Sequence, residues 1–433
     1  MAVFAGAVDK SYQVGSKSLK ELADWDLNAT RLAELTAQAG REMEEQQTAG
    51  SEAFATREAH RPLTVPREVS PQSPANLPQV GVVEMDGGRI RTRDEACPRG
   101  VTHPHWREFQ AGCVVRLQSQ PSVEDPRPEV PRLFLDRPRV HKLVSQLHRQ
   151  RQASPDAQRA DESIEAMLAG EKLAENAADT ASPSETPESS SRSRSRPRRL
   201  MRTCVATLQG ADACGRILAA EAAQRGFDKA SRKAFVGDGQ TCNWTVWERH
   251  FKRQGYVPIV DFIHLVSYVY AFAMAIGRHA DEGWQLHVKW ITALWCGRAA
   301  EVLADWRSLA ARFDIPSDHA LPDDDPRRPI QRGVTYLTNN SERVDYPRYR
   351  RLGLPVTSTL MESLVKEFNL RVKGTEKFWD DPQGAEAILR VRAALLSEDD
   401  RFADFFATRP GCRYRRRQTL QRVKLQATLA MAP

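Results

Sequence analysis

Three acidic residues are spaced so that folding can bring their carboxylates together. Asp86 follows the apolar run GVVEM and Asp238 follows AFVG, both at the ends of predicted β-strands. Glu362 lies near the start of a predicted helix over residues 357 to 379. If the first and fourth predicted strands are neighbours, Asp86 and Asp238 converge, and the later helix brings Glu362 to the same place. Such a carboxylate set predicts a site for two Mg²⁺ ions, or Mn²⁺, because hard cations prefer oxygen ligands.

Each of these acids also has a purely structural interpretation. Asp86 and Asp238 are each followed by glycine, and Asp-Gly is a common hairpin-turn dipeptide. Thr359 and Glu362 have the spacing of a capping box, in which the glutamate satisfies a backbone N–H at the helix start. Taken singly, the turn and the cap are favoured, and only the combination favours chemistry.

The predicted helix carries a polar face suited to phosphate. At 3.6 residues per turn, one stripe of the helix holds Glu362, Lys366, Asn369 and Lys373. Glu367 competes with Glu362 as the acid, but five positions turn it about 140° away from that stripe. The stripe therefore predicts a metal ligand followed by DNA contacts.

Basic clusters elsewhere also predict contacts with a polyanion. The segment before the Glu362 helix is rich in arginine and tyrosine, and its candidate DNA contacts are Arg343, Arg348, Arg350 and Arg351. Simple solvation of a loop explains these arginines equally well. A second cluster is SRSRSRPRRLMR at 191 to 202, and a third is the C-terminal tail, which has no acid after Asp404. Such patches raise affinity for nucleic acid with little sequence specificity.

Composition limits the class of protein. The chain has 433 residues, 41% of them hydrophobic, which is enough for two or three domains, and a net charge of +7. Its seven cysteines form no C-x-x-C pair, so neither a disulfide scaffold nor a zinc finger is indicated, and a reducing cytoplasm is expected. No secretory signal is visible, and the apolar stretch 265 to 277 is too short to span a bilayer, so we expect no membrane association.

The order of elements predicts an α/β sheet with strands of mixed direction. The five predicted strands are, in chain order, QVGVVEMDGGRIRTR, HWREFQAGCVVRLQ, RTCVATLQG, KAFVGDG and YVPIVDF. Predicted helices separate the last three strands from one another. Residues 16 to 47 predict two helices, with the second starting near Asn28. An ordinary helical hairpin is favoured there over a DNA-binding helix-turn-helix.

These patterns divide the chain into eight predicted segments. They are a helical N-terminal segment and candidate DNA-binding element (1–60), a linker (61–80), the first core part (81–120), a largely disordered insertion (121–199), the second core part (200–264), a helical insertion domain (265–340), the Glu362 helix region (341–400) and a basic tail (401–433).

Several separated stretches together resemble a known family. They are VVEMDGGRIRTR with HWRE downstream, FVGDGQTCNW, VDFIH, and YLTNNSERVDYPRYRRLGLPVTSTLMESLVKEFNLRVKGTEKFW. The chain resembles the DDE transposases of bacterial insertion sequences, within the mutator-like superfamily and closest to the Kra-type group, from about residue 10 to 400. The resemblance implies a ribonuclease H-like mixed sheet with a helical insertion, and it assigns the catalytic acids to Asp86, Asp238 and Glu362.

The resemblance also implies substrates and a signature. Asp261 and His264 match a C/D-x-x-H signature of the superfamily, where His264 has a structural or supporting role. Asp261 competes with Asp238 for the second catalytic place and is equally suited to cap the helix after it. The implied activity is metal-dependent cleavage at terminal inverted repeats of double-stranded DNA and joining to target DNA, by a dimer or larger assembly associated with the bacterial nucleoid.

One departure from the family leaves two other classes open. Related proteins carry an upstream Cys-containing segment that resembles a zinc-binding module, and no such Cys pairs stand here. We therefore expect one of three forms: a shortened copy, a form that recognises DNA with the 16 to 47 helices alone, or a catalytically intact but poorly targeted remnant. The alternatives are a structure-specific nuclease on the same fold and a non-catalytic DNA-binding protein.

Overall fold

One mixed sheet with helices on both faces organises the chain. The computed structural model describes residues 1–59, 80–92, 105–151, 197–316, 319–373 and 378–409. In chain order its elements are α1 (Ala2–Val8), α2 (Tyr12–Ala23), α3 (Ala29–Ala59), β1 (Val80–Thr92), β2 (His105–Gln118), α4 (Arg137–Arg151), β3 (Arg198–Thr207), α5 (Ala211–Gln224), β4 (Arg232–Gly237), α6 (Thr241–His250), β5 (Val257–Val260), α7 (Phe262–Ile276), α8 (Ala280–Trp295), α9 (Ala299–Ala310), α10 (Arg328–Asn340), α11 (Tyr346–Arg351), α12 (Thr359–Val372), α13 (Pro382–Leu396) and α14 (Arg401–Thr408).

The strand order in the sheet is β3-β2-β1-β4-β5. β2 runs antiparallel to both β1 and β3, whereas β1, β4 and β5 run parallel to one another. The predicted α/β class with a mixed sheet is therefore confirmed, as is the side-by-side placement of the first and fourth strands. Because β1, β4 and β5 are parallel, their carboxyl ends lie at one edge of the sheet.

The central strand is covered on both faces, which explains its nearly continuous apolar sequence. On one face α5 packs so closely that a Cβ at Gly112 of β2 would lie 2.5 Å from Leu218 Cδ1. On the other face α12 packs, and the ring centroids of Phe109 and Phe368 lie 6.1 Å apart. Successive residues of a strand point to opposite faces. The α12 face of β1 therefore carries Glu84 and Asp86.

The N-terminal segment forms a helical hairpin that packs on the rest of the chain. α3 starts at the predicted place, where the Asn28 side chain accepts the Arg31 N–H at 2.8 Å. α3 lies so close to α13 that a Cβ at Gly40 would lie 2.2 Å from the carbonyl oxygen of Ala387. The predicted helices are confirmed, and their DNA-binding role stays a prediction.

Two stretches differ from the sequence-based expectation. In the interval 121–199 we expected disorder over much of the length and a helix-compatible part near 137 to 150. α4 confirms that helix and buries Val140, Leu143 and Leu147, whereas residues 121–136 are folded against expectation. Residues 152–196 of that interval lie outside the described residues. Between residues 321 and 351, where the Asp, Pro and Arg content predicts a loop, α10 and α11 are helical. Pro329 and Pro347 stand in their first turns, where proline is tolerated.

The described part of residues 265–340 is mostly helical, as predicted. Trp290, Trp295 and Trp306 are at most 1% exposed and belong to the core. Trp284 is partly buried and stacks on His287 with a centroid distance of 4.9 Å. In the described ranges, no helix has both the length and the apolar character needed to cross a membrane.

Candidate active site beside β1 and β4

Asp86 and Asp238 lie on neighbouring parallel strands, just beyond the point where the two strands pair. Asp238 directly follows β4, as expected, but Asp86 lies in the middle of β1, which continues to Thr92, so its expected position at a strand end is wrong. The ladder between β1 and β4 pairs Glu84 with Val236, and each acid stands two positions further along its strand. Neighbouring strands are about 4.8 Å apart, so the two acids start from adjacent backbone positions. Neither Asp-Gly forms a hairpin turn: Asp86 and Gly87 lie inside the continuous strand β1, and Asp238 leads into α6. The hairpin-turn interpretation is wrong for both.

The Asp86 side chain is half-buried on the face that α12 covers. Asp86 lies opposite Ala111 of β2, and its Oδ1 accepts the Gly87 N–H at 2.7 Å. The carboxylate takes part in further interactions. Its position on a central strand gives it a rigid base.

The Asp238 carboxylate is held in one orientation by its neighbours. It is 5% exposed, and its Oδ1 accepts the Gln240 N–H at 2.9 Å and the Asn243 Nδ2 at 2.8 Å. Its Oδ2 accepts the Gln240 Nε2 at 2.5 Å. Because each carboxylate oxygen has two acceptor positions, Oδ2 retains one for a cation. The backbone carbonyl of Asp238 accepts the Tyr336 hydroxyl at 2.9 Å, which fixes the turn as well.

Glu362 lies in the first turns of α12. The helix begins at Thr359 with Ser358 as its N-cap, so Glu362 is the fourth helical residue, one beyond the capping-box position. The Glu362 side chain lies outside the described part of the structure. The backbone N–H of its neighbour Met361 donates to the Ser358 carbonyl at 2.9 Å and lies close enough to the Glu84 carboxyl to act on its pKa, so the start of the helix lies beside the strand that carries Asp86.

The alternative acid Glu367 faces another part of the protein. Its Oε2 lies 3.4 Å from Arg202 Nη2 on β3. This ion pair agrees with the helical geometry, which turned Glu367 away from the stripe that begins at Glu362.

Glu84 is a buried acid that the sequence analysis missed. It is 2% exposed, and burial raises its pKa to about 8. The negative charge of Asp261 acts in the same direction, whereas Arg202 and the Met361 N–H lower the pKa. An acid inside the apolar run GVVEM, two residues before Asp86 and hence on the same face, was the signal that could have found it.

Asp261 caps α7 and also binds the segment before α12. Its Oδ1 accepts the N–H groups of Ile263 and Ser358, both at 3.1 Å. Its Oδ2 accepts His264 Nδ1 at 2.7 Å and the Ser358 hydroxyl at 2.6 Å. The predicted N-cap is confirmed. A carboxylate has about four acceptor positions, so protein donors saturate Asp261, which favours Asp238 as the metal ligand.

The polar stripe of α12 continues into a cluster of cations around Trp106, which we call the Trp106 cluster. It consists of Arg89, Arg91, Trp106 and Lys373. The Arg91 guanidinium lies 4.9 Å and the Lys373 ammonium 5.8 Å from the Trp106 ring centroid. Burial lowers the pKa of Lys373, and the charges of Arg89 and Arg91 lower it further.

The sequence pointed to Lys373 but gave no role to the other members of the Trp106 cluster. The alternation in RIRTR puts Arg89 and Arg91 on one strand face, and the hairpin pairs Arg91 with Trp106. The two other predicted DNA contacts on α12, Lys366 and Asn369, are both half-buried. Among the described residues, Asn369 Oδ1 has no hydrogen-bond partner.

The four predicted arginine contacts have different environments. Arg348 is exposed, and Arg351 is half-buried. The Arg343 guanidinium lies 4.7 Å from the Trp244 ring centroid and donates to the Asn339 carbonyl at 2.9 Å.

Arg350 is buried and makes its contacts within the protein. Its side chain is 0% exposed, pairs with Asp125 through two nitrogens and lies 4.1 Å from the Trp295 ring centroid. A guanidinium with these partners is unavailable to DNA, so Arg350 is corrected to a structural residue.

The acids fit a divalent cation in type and position. Asp86 and Asp238 come from adjacent parallel strands, and the helix that carries Glu362 begins beside β1. Among the side chains that the structure describes, which do not include that of Glu362, no three His, Cys, Asp or Glu residues form a metal-binding group. The predicted site therefore depends on Glu362.

Comparisons with known proteins add no family assignment. Neither the models of protein families nor the curated proteins contain a match to this chain.

Proposed function

We propose that the chain is a DNA transposase that cuts the ends of an insertion sequence and joins them to target DNA, on a ribonuclease H-like core. The observation that carries the proposal is the position of Asp86 and Asp238 on adjacent parallel strands, each two residues beyond the Glu84–Val236 pair, beside the start of the helix that carries Glu362. A central first strand, with a hairpin on one side and parallel strands on the other, is compatible with that core.

Asp86, Asp238 and Glu362 would hold the divalent cations of the reaction. Two bound Mg²⁺ or Mn²⁺ ions supply activation of the attacking oxygen and stabilisation of the leaving oxygen. Gln240 and Asn243 keep the Asp238 carboxylate in the orientation that binding requires. The central strand β1 does the same for the backbone of Asp86.

The reaction has two phosphoryl-transfer steps. In the first, a water oxygen bonds to the phosphorus at the element end while the P–O3′ bond breaks. The water gives up a proton and the 3′ oxygen takes one, which leaves a 5′-phosphate and a free 3′-OH. In the second, that 3′-OH bonds to a phosphorus of target DNA, and the target's own 3′ oxygen leaves as a hydroxyl. Joining two ends implies a dimer or larger assembly.

The Trp106 cluster supports DNA as the substrate. Arg91 and Lys373 both lie over the Trp106 ring, the charge of Arg89 also acts on Lys373, and a phosphate backbone would relieve the mutual repulsion of the three cations. Arg91 lies five residues beyond Asp86 on β1, or about 17 Å at 3.4 Å per residue. Because this separation is an odd number of residues, Arg91 leaves β1 on the face opposite to Asp86, so the cluster would contact the DNA backbone away from the cut phosphodiester.

One reaction mixture separates the three candidate functions. Purified protein is incubated with Mg²⁺, a supercoiled plasmid and labelled DNA from both flanks of its gene, where terminal inverted repeats are expected. A transposase gives labelled product joined to the plasmid. Cut label without joining indicates a nuclease, and a mobility shift alone indicates a DNA-binding remnant. Either of the last two results contradicts the proposal.

A further inference from the structure

Asp261 connects the end of β5 to the residue before α12. Both polar groups of Ser358, its N–H and its hydroxyl, donate to the Asp261 carboxylate at 3.1 and 2.6 Å. The next residue after Asp261 reinforces the link, since the Phe262 N–H donates to the Val356 carbonyl at 2.9 Å. Three hydrogen bonds thus join two segments that lie almost one hundred residues apart in the sequence.

The link determines where α12 begins. Ser358 is the N-cap of the helix, and Glu362 follows four positions later, about 6 Å along the helix axis. A shift or rotation at Ser358 is therefore passed directly to the Glu362 backbone.

We infer that Asp261 and Ser358 form a positioning clamp that sets the start of α12 so that Glu362 meets Asp86 and Asp238 at the metal site. Asp261 acts through Ser358 and needs no contact with metal or DNA. His264 Nδ1 donates to Asp261 Oδ2 at 2.7 Å and so fixes the carboxylate. This inference rests on the proposed function, because it assigns the clamp to the metal site of that reaction.

The test uses the full-length protein and measures Mn²⁺ binding without DNA, by the loss of the free Mn²⁺ signal in electron paramagnetic resonance. Ser358→Ala removes the 2.6 Å hydroxyl bond and keeps the N–H bond. Residues that orient metal ligands typically contribute 10- to 100-fold in affinity, so the half-saturating Mn²⁺ concentration should rise about tenfold. Ser358→Thr keeps a hydroxyl and should bind Mn²⁺ within about twofold of the wild type.

Ser119→Ala is the matched control. The Ser119 hydroxyl is equally buried and donates to the Gly353 carbonyl at 2.6 Å, in the connection that leads to α12, without touching Asp261. Its loss should lower the melting temperature about as much as Ser358→Ala and leave Mn²⁺ binding unchanged. Asp261→Asn should weaken Mn²⁺ binding further, and Ser358→Ala keeps the inference testable if that variant fails to fold.

The outcomes separate the clamp from the proposed function. Equal Mn²⁺ binding by Ser358→Ala and the wild type, or equal weakening by Ser119→Ala, overturns the clamp and leaves the proposed function standing. A wild-type protein that binds no Mn²⁺ and cuts no DNA overturns the proposed function and the clamp with it.

Discussion

Asp238 and Asn243 form a fixed pair at the edge of the sheet, with Asn243 Nδ2 donating to Asp238 Oδ1 at 2.8 Å. Asn243 is 4% exposed and lies one turn into α6, so the helix after β4 orients the acid at the end of β4. The connection from β4 to α6 therefore holds the Asp238 carboxylate in an orientation that suits cation binding.

Removing Asn243 should weaken the metal site more than the fold. In Asn243→Ala, Asp238 loses one of its three donors, and we expect the Mg²⁺ concentration needed for half-maximal cleavage to rise about 10-fold or more. The neighbouring Cys242→Ala is the control, because Cys242 is exposed and makes only a weak 3.8 Å contact with Asn243. Unchanged Mg²⁺ dependence in Asn243→Ala would remove Asp238 from the proposed ligands.

The Trp106 cluster should contribute to DNA affinity through charge. Lys373→Ala should weaken DNA binding at low salt and reduce the slope of log K against log salt by about one, because one phosphate contact is lost. Lys252→Ala is the matched control, since that exposed lysine also lies near a tryptophan, 5.4 Å from the Trp247 ring, and pairs with Glu248. Fluorescence anisotropy over a salt series gives both slopes, and equal slopes would remove Lys373 from the DNA surface.

Arg348 and Arg350 should behave differently although they are two residues apart. Arg350→Ala leaves Asp125 without its buried partner and should destabilise the fold by about 3 kcal/mol. Arg348→Ala removes an exposed side chain and should change stability by less than about 0.5 kcal/mol. Urea unfolding measures both, and a stable Arg350→Ala protein would contradict the structural role of Arg350.

Asp399 should make the fold sensitive to acid. Burial works to raise its pKa, but the Arg401 charge and hydrogen bonds from Arg225 and Thr203 outweigh burial and lower it to about 2. A lowered carboxyl pKa stabilises the fold above the unfolded value near 4, and this stability is lost as the pH falls towards 2.

Asp399→Asn tests this linkage. At neutral pH the variant should be less stable by about 2 kcal/mol, and its free energy of unfolding should fall less steeply between pH 5 and pH 2 than that of the wild type. Chemical unfolding across that pH range is the measurement, and parallel curves would show that Asp399 is not the group responsible.

The sequence predicted the sheet because its signals are local. The apolar run before Asp86 and the short strands before Asp238 and Asp261 have the length and residue types of buried strands, and all three lie where expected. The start of α3 after Asn28 was predicted for the same reason, since a cap acts on the next few residues.

Features that depend on distant partners could not be predicted. Arg350 looked like a surface residue because Asp125, which buries and neutralises it, is 225 positions away. Asp261 looked like a catalytic competitor because its second partner, Ser358, becomes a neighbour only when β5 and the segment before α12 meet in the fold. The prolines of the segment 321–351 led to the prediction of a loop, but in α10 and α11 they stand in the first turn of a helix and do not interrupt it.

The central claim, that Asp86, Asp238 and Glu362 share one metal site, can be tested directly by replacing Mg²⁺ with Fe²⁺. In the presence of ascorbate and peroxide, bound iron generates hydroxyl radicals that cut the polypeptide nearby, and mass spectrometry maps the cuts. We predict three groups of cuts, near residues 86, 238 and 362, all lost in Asp86→Ala and Asp238→Ala proteins that still fold. Cuts at other positions, or an unchanged pattern in both variants, would contradict the shared site.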